Sequence, residues 1–112
     1  MKMNTKDRAR IEHMLKATQE ALSFMSGISK EAFFKDRKLI LAIIKEIEIV
    51  GEAASKVTSQ TQLELSNIPW EEIVSTRHRL IHGYFDINLE IVWVTLIEDL
   101  PDLLKKLEKI LL

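Results

Sequence analysis

The stretch TRHRLIHGYF, residues 76–85, holds two of the chain's three histidines, its one tyrosine and two arginines. Each of these types can do chemistry. An imidazole such as that of His82 belongs to the one side-chain type that ordinarily titrates near neutral pH, which suits proton transfer in either direction. A guanidinium such as that of Arg77 grips phosphate or carboxylate through charge-assisted, two-pronged hydrogen bonds. Together they could serve one ligand, or they could belong to a polar face that happens to hold rare residues. No other constellation competes. The chain has no cysteine, which excludes disulfides, thiolate metal sites and a cysteine nucleophile. It has no Gly-rich phosphate loop, HExxH, EF-hand loop or GxSxG elbow, so neither a metal nor a cofactor is expected.

Whether Arg77 and His82 share a site depends on the helix that carries them. At about 100° per residue, Trp70, Ile73, Val74, Leu80, Ile81 and Tyr84 project to one side, with Arg77 in the middle of that stripe. A guanidinium there is costly unless it is paired or reaches a wet cleft. Arg79 points to the polar side. His82 lies roughly 140° from Arg77 on an ideal helix. Two arrangements reunite them: the helix loosens before Gly83, or two copies of the motif face each other across a two-fold axis. The bland alternative keeps Arg77 in an ion pair with Glu46, Glu48 or Glu52 and leaves His82 as a helix-end histidine. His13 and His78 read as solvent-facing on spacing alone. Trp70 and Trp93 read as core.

The positioning elements are helices. The first spans about 5–25, with the stripe Ile11, Met14, Leu15, Thr18, Leu22 and Met25, and Gly27 ends it. The second is predicted from Ser29 or Lys30 to Val57, with Ser29 as N-cap. Its core stripe is Leu39, Ile40, Ile43, Ile44, Ile47, Val50 and Ala54. A second strip, Ala42, Ile49 and Ala53 with Glu46 in its path, asks for another partner surface, such as a subunit interface. Residues 58–68 read as a loop with one short turn around Gln62–Leu65. The third helix opens at Pro69, which suits a first turn, and should run to about Ile81 and fail at Gly83. The fourth starts after an Asp86 or Asn88 cap and carries Leu89, Trp93, Leu96, Leu100, Leu103, Leu107 and Ile110 at heptad-like spacing. Pro101 should kink or interrupt it.

With 112 residues, three Gly, two Pro and 6% aromatics, the chain fits one all-α domain, residues 1–112, folded as an up-and-down bundle. Cores of this size are often supplemented by oligomerisation. A net charge of −1 gives no global basic field, so a nucleic-acid partner would need a local patch. The charged N-terminus carries no signal-peptide pattern and no apolar run reaches membrane-span length. No membrane association is expected, and the cytoplasm is the default location.

RHRLIHGY, residues 77–84, has the form R-x4-H-x-Y. It resembles the motif of HepT-like toxins in the HEPN superfamily (higher eukaryotes and prokaryotes nucleotide-binding domains). The resemblance extends through IPWEEIVSTRHRLIHGYFDINLEIVWVTLIEDLPDLL (residues 68–104), IEIVGEAASKV (47–57) and EAFFKDRKLI (31–40). It implies a four- to five-helix bundle that forms a homodimer, with two R-x4-H motifs in one composite cleft. It implies a metal-independent endoribonuclease with RNA as substrate and Arg77 and His82 as catalytic residues; beside what the resemblance implies, His78, Glu46 and Glu52 are candidate supporting residues. It also implies a toxin neutralised by an MntA-like nucleotidyltransferase antitoxin, which transfers AMP to the motif tyrosine, here Tyr84. His78 departs from the pattern, since many relatives carry Asn after the motif arginine. Two other readings stay open: a non-catalytic module that partners a nucleotidyltransferase and binds nucleotide or phosphate, and a purely structural helical scaffold.

Overall fold

The structure is a computed structural model. It describes the backbone of residues 3–83 and 86–112; the side chains of Arg77, Ile81 and His82, and all of Tyr84 and Phe85, lie outside the described residues. Seven α-helices, one π-helical turn and a two-stranded ribbon make up the described part.

Helix α1, Thr5–Phe24, is capped by the Asn4 side chain, which accepts from the Asp7 amide. Its stripe of Ile11, Met14, Ala17, Thr18 and Ala21 is buried. Gly27 then takes a φ of +74°, a left-handed conformation that costs glycine little and stops the helix. Ser29 caps α2, Lys30–Lys35, as its sequence position indicates.

The expected single helix over 30–57 is two helices. The backbone turns extended at Asp36, whose carboxylate accepts from the Leu39 amide and caps α3, Arg37–Ser55. A side chain that can bond its own backbone offers an alternative to helix continuation, so Asp36 both ends α2 and starts α3. The break lets α2 turn aside: Phe33 stacks at 5.9 Å from Trp93, and Lys30 pairs with Glu90 at 3.0 Å. On α3, Ile40, Ile43, Ile44, Ile47, Val50 and Ala54 are buried as predicted, and Leu39 is half-buried. The second strip is covered in part: Ala53 and Glu46 are buried against the bundle, and Ala42 and Ile49 are half-buried.

Residues 59–64 form a short helix, α4, capped by Thr58. The Asp7 carboxylate ties α4 to α1. It accepts hydrogen bonds from the Thr58 amide at 3.0 Å, the Thr58 hydroxyl at 2.6 Å, the Thr61 hydroxyl and the Asn4 amide. Burial pushes this carboxyl up, but the bonds from Thr58, Thr61 and Asn4 outweigh it and hold the group below its ordinary value.

Helix α5, Trp70–Leu80, starts with the Pro69 carbonyl accepting from the Ile73 amide at 3.0 Å. It ends one residue earlier than predicted and gives way to an antiparallel ribbon, β1 (Ile81–Gly83) against β2 (Asp86–Ile87). Asn88 caps α6, Leu89–Val94, through its side chain.

Pro101 acts through the turn before it. A proline has no N–H to give and its ring crowds the carbonyl four residues back. The chain widens into a π turn over Thr95–Asp99, with the Leu100 amide reaching back to the Thr95 carbonyl. Helix α7, Leu100–Ile110, restarts with Pro101 in its first turn. Leu96, Leu100, Leu103 and Leu107 stay on the buried seam. The result is an all-α bundle in which α3 packs between α1 and α5, and α7 lies against α1.

Candidate functional site

Helix α5 is held at its N-terminal end by the Trp70 indole, whose N–H donates to the Gln62 and Leu65 carbonyls, both at 3.1 Å. Midway, α3 and α5 come close at Gly51. A Cβ there would sit 3.2 Å from the Ile73 carbonyl oxygen. A glycine inside a helix costs about 1 kcal/mol against alanine, and this near-contact is the packing reason for it. The far end of α5 is finished by the Asn88 amide, which donates to the Leu80 carbonyl at 2.9 Å. The backbone of Arg77 and His82 is thereby placed at the junction where α5 passes into β1.

Because α5 ends at Leu80, the 140° separation expected for Arg77 and His82 does not apply. His82 sits in extended backbone. The side chains of Arg77 and His82, and Tyr84 altogether, fall outside the described residues.

The buried face of α5 differs from the predicted stripe. Trp70 and Leu80 are buried, but Val74 is 41% exposed and Thr76 is 7% exposed. The face turns toward Thr76 because its hydroxyl donates to the Glu72 carbonyl and accepts from the Arg79 guanidinium at 2.9 Å, so the polar group is satisfied inside. Arg79 is exposed yet not idle. It lines a cavity of about 280 Å³ with Ile47, Val50, Thr76, Asp99 and Leu103. Burial and the Glu72 carboxylate push Asp99 up, while Arg79 pulls it down.

The three candidate supporting residues separate. His78 lines a groove of about 170 Å³ between α3 and α5, with Glu48, Gly51, Glu52, Ser55 and Val74. Glu52 therefore shares a surface with His78, and its Oε1 also holds Lys56 Nζ at 3.3 Å. Glu46 is elsewhere. It is 5% exposed, sits with Glu20 of α1, and its Oε2 accepts no hydrogen bond. Burial, then the hydrogen bond and charge of Glu20, push its carboxyl up to about 7. Sequence periodicity flagged Glu46 as an interruption of an apolar strip; only the packing of α1 shows that it is enclosed there. One group escaped sequence reasoning: Asp7, a first-turn acid like many others. Among the described residues no cluster of His, Asp and Glu could hold a metal ion, and no helix is long and apolar enough to cross a membrane.

Comparison with known proteins bears on the same residues. The sequence model of the family described as "Ribonuclease HepT-like" matches residues 14–110. A protein of Caldanaerobacter subterraneus subsp. tengcongensis, whose name assigns it provisionally as an RNase, is 36% identical over 104 residues, covering 93% of each chain. A "Probable ribonuclease HepT" of Thermococcus cleftensis is 34% identical over 110 residues, 98% of each chain. A provisionally named RNase of Methanocaldococcus jannaschii is 32% identical over 104 residues, 93% of this chain and 86% of its own. No solved structure matches the chain. A match that runs from the middle of α1 to the end of α7, across the whole Arg77–Tyr84 motif, leaves one assignment: the chain belongs to the HepT-like ribonuclease family.

Proposed function

We propose that this protein is a metal-independent endoribonuclease in which Arg77 and His82 carry the reaction. The family match over residues 14–110 is the observation that carries the reading. The α5–β1 junction supports it, because one short backbone segment bears both residues. RNA brings its own nucleophile, so the absence of cysteine is no obstacle. His82 takes the proton of the 2′-hydroxyl, whose oxygen attacks the adjacent phosphorus. The P–O5′ bond breaks, a proton passes to the leaving 5′-oxygen, and the products are a 2′,3′-cyclic phosphate and a 5′-hydroxyl. Proton transfer of this kind contributes about 10²- to 10⁴-fold in rate. The Arg77 guanidinium holds the phosphate oxygens as charge builds on them.

In this reading the protein works as a homodimer, with the second copy's histidine supplying the acid. The half-buried Ile73 and exposed Val74 beside His78 offer apolar surface for that pairing. The protein acts as a toxin beside an MntA-like nucleotidyltransferase antitoxin that transfers AMP from ATP to Tyr84. Negative charge and bulk two residues past His82 would exclude an RNA phosphate.

The test is cleavage of RNA in EDTA by the purified protein. Arg77→Ala and His82→Ala should each lower it at least 100-fold while the melting temperature holds. Full cleavage by either variant removes that residue from the mechanism. Incubation with the partner and ATP should add one AMP mass to Tyr84 and silence the enzyme; unmodified, fully active protein would refute the control mechanism.

A further inference from the structure

The cavity of about 280 Å³ beside Arg79 has two unlike parts. Its floor is apolar and buried, made by Ile47 and Val50 of α3 and by Leu100 and Leu103 of α7. Its mouth is charged. Glu72 and Arg79 come from α5, Asp99 from the end of the π turn, and Asp102 and Lys106 from α7. An apolar floor under a few convergent polar groups is the usual make-up of a small-molecule site. Single π turns inside helices recur at functional sites.

The charges of the mouth are unequally matched. Lys106 Nζ holds Asp102 at 2.9 Å, so that pair satisfies itself. Glu72, Asp99 and Arg79 make no ion pair with any described residue. The Arg79 guanidinium donates to the Thr76 hydroxyl at 2.9 Å, a neutral group that leaves its charge unanswered. Burial, then the charge of Glu72, push the Asp99 carboxyl up, and Arg79 pulls it down. The three groups therefore sense one another across the opening without pairing. Two carboxylates that repel each other gain from an ammonium group between them. A guanidinium gains from a carboxylate, which it can bind through two hydrogen bonds. An anion such as phosphate would meet two carboxylates for one guanidinium. A plain organic cation would meet Arg79. A molecule carrying both an ammonium group and a carboxylate suits all three.

We propose that this cavity binds a free apolar α-amino acid, with its side chain on the Ile47–Leu103 floor, its ammonium group between Glu72 and Asp99, and its carboxylate on Arg79. The space, about 280 Å³, would hold about nine waters at ~30 Å³ each. That admits a side chain of leucine or phenylalanine size, and it lies just below the ~300–1,000 Å³ of sites for drug-sized ligands. Thr76 and Arg79 bracket Arg77 in the chain, so the bound molecule would fasten the motif-bearing helix to the π turn. The proposal stands apart from the ribonuclease reading, since it concerns binding in the absence of RNA.

Calorimetric titration and amide chemical shifts of the full chain test this with L-leucine and L-phenylalanine. Their amides, which lack the carboxylate, and their N-acetyl forms, which lack the ammonium group, are titrated beside them. The expected result is saturable binding of at least one amino acid in the millimolar range or tighter, with shifts centred on Thr76, Arg79, Thr95 and Asp99. Each analogue should bind at least about tenfold more weakly than its parent, the effect of losing one charge-assisted contact. Arg79→Gln should weaken the amino acid by a similar factor and its amide not at all. E72Q/D99N should weaken the amino acid and leave the N-acetyl form no weaker. No binding of either amino acid at about 10 mM, an amide or N-acetyl form that binds as tightly as its parent, or shifts centred elsewhere would each overturn the proposal. So would full affinity in both variants.

Discussion

Replacing Asp7 with alanine should unfold more of this protein than any cavity of that size would suggest. The Asp7 carboxylate is 1% exposed and collects four donors: the Thr58 amide and hydroxyl, the Thr61 hydroxyl and the Asn4 amide. Hydrogen bonds to a charged group are worth about 1.5–3 kcal/mol each, so a plain sum would exceed 6. That sum is too large. Thr58 is exposed and water can reach its groups in the variant, the two threonine hydroxyls already lie 3.3 Å apart and can bond to each other, and removing the carboxylate also removes its burial cost. Breaking a buried charged network typically costs about 3–5 kcal/mol, and the lower end, about 3 kcal/mol, fits this site. With an unfolding entropy of about 2.1 cal/mol/K per residue, the 112-residue chain should melt about 13 °C lower. The Asp7 carboxyl is held below its ordinary value in the fold. Its contribution is therefore fully present above the unfolded pKa, about 3.9, and is lost as pH falls through the folded value. Urea unfolding of wild type and Asp7→Ala at pH 7, 5 and 3 checks this. The gap should be constant from pH 7 to 5 and shrink by pH 3. A gap under about 1 kcal/mol at pH 7, or one that widens on acidification, would refute the argument.

Glu46→Gln should act in the opposite sense. Burial and Glu20 push its folded carboxyl up to about 7 from an ordinary value of 4.5, so the wild-type residue loses stability as pH rises between those values; the variant should be more stable by about 2 kcal/mol at pH 8 and equal below pH 4, as urea titrations at the two pH values would show. Gly51→Val should cost about 2 kcal/mol by forcing α3 from the Ile73 carbonyl. By shifting α5 it should also lower RNA cleavage more than Gly51→Ala does, which a paired melting and activity measurement would reveal.

Some of this fold is written locally. The leucine spacing from Leu96 to Leu107 marks its buried seam wherever the helix goes, because periodicity of side chains follows from helix geometry alone. Gly27 and Ser29 mark a stop and a start for the same kind of reason: one tolerates positive φ, the other caps its own backbone. The R-x4-H-x-Y spacing is equally visible, and it named the family before any packing was known. Asp36 was also legible in principle, yet strong apolar periodicity on either side hid a cap that lets α2 turn toward Trp93.

Other features exist only between segments distant in sequence. Nothing near Asp7 announces Thr58 and Thr61, 51 and 54 residues on. Glu46 and Glu52 are both acids of α3, but α1 encloses the first with Glu20 and leaves the second in the His78 groove. The end of α5 at Leu80 depends on the pairing of Ile81 with Ile87 and on the Asn88 amide. Sequence spacing fixes which residues ride on one helix face, because that is set by a few backbone torsions. Which face meets which neighbour, and so which charges are buried, paired or left for a ligand, is set by long-range packing.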